Sequence, residues 1–163
     1  MKNPAEEIVT AWLQECMHFF TMNNVKVPRK GGGMGAEIDI LATDGNTNIW
    51  AEVSVSTNPR CNYLKDIRFE STINEYLRDF DREDKNKMVR KYFPNGNEKW
   101  LIYGKLALPR DEKERFGPAL QSKGIKSVYF GDIFKELREL KGFRLDAARG
   151  YMNLFETFHN ESI

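Results

Sequence analysis

Two cysteines and two histidines are all that the 163 residues offer of those side chains. Cys16 and Cys61 make no disulfide framework and no zinc spacing, so a reducing, cytoplasmic setting is expected. His18 falls in a predicted helix beside Phe19, and His159 near the end of the chain; neither has the neighbours of a metal ligand. No Ser-His-Asp arrangement and no cysteine nucleophile is suggested by local context. No apolar run approaches the length of a membrane span, and the opening MKNPAEEIV lacks a signal core, so no membrane partner is expected. Low-complexity tracts and internal repeats are absent. Net charge is also missing: 25 Lys+Arg against 24 Asp+Glu leave +1. That balance says nothing for or against nucleic acid, since a balanced total can still hide a basic face beside an acidic pocket. The glycine-rich RKGGGMG at 29–35 lacks the Gly-Lys-Ser/Thr ending of a Walker loop. It reads either as a loop near a phosphate backbone or as a connector.

What is present suffices for a single domain of 1–163 with one core, since 40% of residues are hydrophobic and eleven are Phe. Asn3-Pro4-Ala5-Glu6 is a helix start: a cap, a proline at the first helical position and an acid at the capping-box position. Ile8, Val9, Trp12, Leu13, Cys16, Met17 and Phe20 continue at helical spacing, which predicts a helix to about residue 20, broken by Asn23-Asn24. A short strand is expected at 25–27 and two more at 36–43 and 48–56. A broken helix pair follows over 71–93, then a strand at 99–108, a polar helix at 111–123 closed by Gly124, and a strand at 125–130. Helices from Asp132 to about 140 and over 145–159 complete the chain. An antiparallel meander followed by crossover helices predicts an α/β fold with a mixed sheet flanked by helices.

The stretch EIDILATDGNTNIWAEVSVS, residues 37–56, puts acids on strands that should pack. Alternation sets Ala36, Ile38, Ile40 and Ala42 on one face, and Glu37, Asp39 and Leu41 on the other. On the next strand Ala51, Val53 and Val55 oppose Trp50, Glu52, Ser54 and Ser56. A two-residue Gly45-Asn46 turn of type II′ then places Asp39 opposite Glu52 and Glu37 opposite Ser54. Opposed carboxylates, their Cβ atoms about 5 Å apart, repel unless one takes a proton or a cation lies between them. Mg²⁺ prefers hard oxygen ligands of this kind. A solvated outer face with incidental acids is the other reading, against which Leu41 and Trp50 on the same face argue.

These residues resemble those of the PD-(D/E)XK, or restriction-endonuclease-like, nucleases. The shared features are a first helix with a glutamate, a glycine-containing loop, E-I-D-I-L-A, a tight turn and W-A-E-V-S. The look is nearest to the Holliday-junction-resolvase and Mrr-type branches. The resemblance implies an α-β-β-β-α-β core over about 4–108, with the strand and helices of 111–159 added to it. It implies Mg²⁺ or Mn²⁺ as cofactor, DNA as substrate and a possible homodimer. Carried over by position, Asp39 resembles the metal-binding aspartate and Glu52 the acid of the (D/E)-X-K half-motif, with the Val53 carbonyl a further ligand. Glu6, with Glu7 as competitor, resembles the helix-one glutamate; capping is its other reading. Glu37 stays unassigned.

Ser54 departs from the pattern, which puts there a lysine that helps activate water and stabilises developing phosphate charge. Either the lysine has moved or cleavage has been lost. Lys85 is the candidate for a moved lysine, because Lys85, Met88, Val89 and Tyr92 form one helical stripe that would face the sheet. Snorkelling at the stripe's edge is the alternative. Lys65 is a weaker candidate, and Arg60 could meet phosphate or only solvent. The resulting expectation is a metal-dependent deoxyribonuclease using Asp39, Glu52 and Lys85 across Ser54. Its rival is an inactive nuclease fold that binds nucleic acid or protein.

Overall fold

In the computed structural model of the chain the described residues are 3–29, 31, 33, 35–56, 69–105 and 117–140. The expected helix at 145–159, residues 111–116, Arg60, Cys61, Lys65 and His159 lie outside them. Helix α1 (Pro4–Glu15) begins as the sequence predicts, with Asn3 Oδ1 accepting the Ala5 N–H at 3.1 Å. It ends earlier than predicted. His18 adopts φ +59°, a left-handed conformation in which histidine is less disfavoured than most residues, and the Phe19 N–H returns to the Leu13 carbonyl at 2.9 Å. Strand β1 (Phe20–Lys26) therefore starts inside the run read as helix. Phe20, counted there as a core position, is 80% exposed.

Strands β2 (Glu37–Thr43) and β3 (Asn48–Ser56) agree with the alternation to within a residue. Their pairs run from Thr43–Asn48 to Ile40–Ala51, the register of a Gly45-Asn46 turn. Gly45 has φ +93°, as the first central position of a type II′ turn requires. Helices α2 (Phe69–Asp81) and α3 (Glu83–Tyr92) form the expected broken pair, interrupted at Arg82, and lead to β4 (Glu98–Lys105). After a helical stretch at 117–121 and Gly124 at φ +73°, β5 (Ile125–Tyr129) and α4 (Phe130–Glu139) follow.

The five strands form one sheet in the order β1-β2-β3-β4-β5, antiparallel from β1 to β3 and parallel from β3 to β5. The fold is thus α/β, a mixed sheet flanked by helices, with the α-β-β-β-α-β order in its first part. One face packs Ile8, Val9 and Leu13 of α1 and Ile133 and Leu137 of α4 over Ile40, Ala51 and Ile102. The other sets Ile73, Phe80 and Val89 of α2 and α3 over Leu41, Trp50 and Leu101. Tyr92, expected on that stripe, is 42% exposed; half-buried Phe93 packs against the cluster instead. No helix among the described residues is long and apolar enough to cross a membrane.

Glycine 35 fixes where β2 begins. The Val27 N–H meets the Ala36 carbonyl at 2.8 Å and closes the glycine-rich loop, and a Cβ on Gly35 would fall 1.6 Å from the Val27 oxygen. Gly35→Ala must push the two strands apart. We expect a loss of more than about 1 kcal/mol in denaturant unfolding, because the native backbone cannot accept the methyl group. An unchanged midpoint would contradict this account of the loop closure.

Candidate functional site

The β2–β3 ladder ends one pair short of the acids. On its register the Val53 N–H would go to the Ile38 carbonyl. It goes instead to Asp39 Oδ2 at 2.7 Å. Asp39 thereby ends the pairing and is itself oriented. Continued by one step, the register would make Asp39 and Glu52 a non-hydrogen-bonded pair, and their side chains do lie within hydrogen-bonding reach of each other. A strand residue's N–H and C=O leave on the same side, so the Val53 carbonyl faces the same gap. On the other flank of β2, Asn24 lies level with Asp39 but outside the ladder, at φ +55°. The alternation expected through Asp39 fails here as well. Ile38 joins the core of Leu41 and Trp50 rather than that of Ile40.

Glu52 is buried, at 5% exposure. Its Oε1 accepts from Trp50 Nε1 at 2.7 Å and from Lys85 Nζ at 2.9 Å. Lys85 is itself only 3% exposed, and its ammonium also lies 3.0 Å from Asp79 Oδ1. The sequence-level stripe thus delivers Lys85 to the acid pair. Ser54, half-buried on β3 two residues past Glu52, shares the face of Glu52 by alternation. The Lys85 amine therefore enters from the same face on which a lysine at position 54 would stand.

The elbow between α2 and α3 aims Lys85. Asn86 Nδ2 donates to the Phe80 and Arg82 carbonyls at 2.7 and 2.9 Å, satisfying groups that the helix break frees. Arg82 grips Asp84 with two nitrogens, at 3.1 and 2.7 Å, and Asp84 Oδ1 accepts the Lys85 N–H at 2.9 Å. Phe80 packs on Trp50 with ring centroids 5.0 Å apart, which seats the elbow over β3.

Burial dominates the electrostatics. It pushes the Glu52 carboxyl up to about 8, reinforced by Asp39 and opposed by Lys85 and Trp50. Asp39 is raised too, by burial first, against the Val53 N–H and the Lys85 charge, which lower it. Glu6 is raised by burial and then by Asp39, so it lies within electrostatic reach. Among the described residues, however, no three acidic, histidine or cysteine side chains converge as a metal-ligand group. Two carboxyl groups and an ammonium make the centre, with Glu6 beside it. Oriented to donate, Asn24 Nδ2 reaches Glu37 Oε1 at 2.5 Å and Glu6 Oε2 at 3.3 Å. Glu37 also pairs across the strands with Lys26, which accounts for it structurally. Glu7 is half-buried and Glu6 buried, so of the two competitors Glu6 is the one turned inward.

Sequence reasoning missed Asp79, Asn24 and the Trp50 indole. Asp79 meets Lys85 only because the helix breaks between them, and Asn23-Asn24 read as a helix breaker rather than a kink in a strand. The Trp50–Glu52 spacing, two residues apart on one strand face, was a usable signal for the indole donor.

No family model matches the sequence, and neither does any curated protein. Among solved structures, the chain is similar to the crystal structure of a protein of unknown function, AF1548. The identity is 16% and the TM-score 0.47, over 98% of this chain and 96% of that one.

A proton held by Glu52 ties stability to pH. The folded value lies above the ordinary 4.5, so the group's contribution is full below about 4.5 and is lost as pH rises through about 8. Glu52→Gln removes that dependence. In metal-free thermal unfolding, the melting temperature of the variant minus that of the wild type should increase steadily from pH 5 to 8.5. A difference that stays flat or shrinks would mean that Glu52 is ionised throughout.

Proposed function

We propose that the chain is a metal-dependent nuclease of the PD-(D/E)XK kind, hydrolysing phosphodiester bonds of DNA, with Lys85 in the role of the motif lysine that Ser54 replaces. The observation that carries this reading is the buried Lys85 ammonium 2.9 Å from Glu52 Oε1, beside Asp39.

The donor set fits a hard divalent cation. Among the described residues Asp39 commits Oδ2 to the Val53 N–H, and Glu52 commits Oε1 to Trp50 and Lys85. The two carboxyl groups also hydrogen-bond to each other, a contact that a cation would have to replace. Mg²⁺ is commonly held by one or two carboxylates together with water and substrate phosphate. Asp39 and Glu52 would hold it, with the Val53 carbonyl facing the same gap and Glu6 outside. When bound, the cation polarises the scissile phosphate and makes its water more acidic. The chain's own residues do the rest. Asp39, fixed by a backbone N–H, keeps one geometry. Glu52 would have to give up its proton to serve as a ligand. Lys85 supplies a fixed positive charge where phosphate charge develops, in a site too dry to screen it.

Ser54 favours a second reading, a nuclease fold that binds nucleic acid or a protein without cutting. Against it, two buried acids facing a phosphate backbone without a cation would oppose binding.

A cation that binds only the folded state must raise the melting temperature by mass action. Millimolar Mg²⁺ or Mn²⁺ should stabilise the wild type and leave Asp39→Ala unshifted. Metal-dependent cleavage of plasmid, branched or single-stranded DNA should be lost in the same variant. If neither metal shifts the wild type, the nuclease reading fails. Metal binding without cleavage of any of the three substrates would support the non-cutting alternative.

A further inference from the structure

Lys85 Nζ has two carboxylate partners at nearly equal distance, Glu52 Oε1 at 2.9 Å and Asp79 Oδ1 at 3.0 Å. They differ in surroundings: the Glu52 side chain is 7% exposed and that of Asp79 43%. They also differ in origin, since Glu52 stands on the central strand and Asp79 in the last turn of α2, across the elbow from Lys85. The elbow's clamps at Asn86, Arg82 and Asp84 hold that span.

A divalent cation and the Lys85 ammonium compete for the same buried carboxylate. Two positive charges on one carboxylate repel each other, and little water is present to screen them. An ammonium left without a partner at 3% exposure would be costly. We propose that Asp79 is a positioning residue that takes over the Lys85 ammonium when Glu52 turns to the cation. The near-equal distances mean that the exchange needs no helix movement. Because Asp79 is the more exposed partner, the handover draws the amine toward the open side of the site, from which a phosphodiester would approach. This inference rests on the metal-binding reading above.

The test is a double-mutant cycle read by Mg²⁺ affinity, from calorimetric or thermal-shift titration, with no nuclease assay needed. Lys85→Met removes the ammonium and supplies the background in which Asp79 has nothing to receive. Asp79→Asn should bind about tenfold more weakly, because Lys85 then stays on Glu52. In the Lys85→Met background the same Asp79→Asn change should cost only about twofold to threefold, the effect of one nearby negative charge. Asp79→Glu, with room at a partly exposed position, should restore most of the wild-type affinity. A merely structural Asp79 would change the metal-free melting temperature and leave the affinities alone. Equal losses in both backgrounds, or no loss in the wild-type background, would overturn the handover while leaving the metal site standing. A wild type that binds neither Mg²⁺ nor Mn²⁺ would instead show that the metal reading itself is wrong, and the handover with it.

Discussion

A lysine ammonium held away from water between Glu52 and Asp79, with Asp39 alongside, is the interaction on which the rest of this site depends. Charges are rarely tolerated at 3–5% exposure, and a buried ion pair recovers its desolvation cost only when its geometry and hydrogen bonds are good. Here Oε1 of Glu52 takes an indole N–H as well as the ammonium, and Asp39 takes a backbone N–H. Even so, burial outweighs the pairing and keeps Glu52 prone to protonation. An arrangement of this kind is poor as a fold stabiliser, since apolar residues of similar size would do as well or better. It does hold a titratable carboxyl and a charged amine together in a dry pocket.

The fold supplies the two interruptions that such a site needs. The antiparallel ladder stops at Ile40–Ala51, which frees the gap where Asp39 and Glu52 face each other. The helical crossover on the adjoining face breaks at Arg82, so one helix ends with Asp79 and the next begins by presenting Lys85. Phe80 against Trp50 registers the elbow over the strand. Ser54 is then unremarkable as a local residue. The positive charge beside Glu52 comes from the neighbouring helix layer, through Lys85.

The sequence revealed the elements whose periodicity is set by burial on one face. Strands β2 and β3, their turn and the register that brings Asp39 toward Glu52 followed from Gly45-Asn46 and from an alternation that breaks only at Ile38. Lys85 followed from a stripe shared with Val89. What escaped depended on tertiary contacts with no periodic signature. The first helix ends at Glu15 because His18 turns left-handed, while Cys16, Met17 and Phe20 continue the helical spacing by composition alone. Tyr92 fits the stripe by spacing, yet Phe93 packs in its place after the helix has ended. Asn24 and Asp79 act through a strand kink and a helix break, and neither feature projects a contact partner along the chain.

The central claim is that Lys85 carries the charge that position 54 lacks. Moving that charge back tests it most directly: metal-dependent DNA cleavage by Lys85→Ala, by Ser54→Lys/Lys85→Ala and by the wild type, each checked for folding by circular dichroism. Lys85→Ala should lose cleavage by about a hundredfold or more, as expected when a group stabilising developing charge is removed. A substantial part should return in the double variant, whose strand lysine faces the same acids. Wild-type cleavage by Lys85→Ala, or a folded double variant no better than Lys85→Ala, would contradict it.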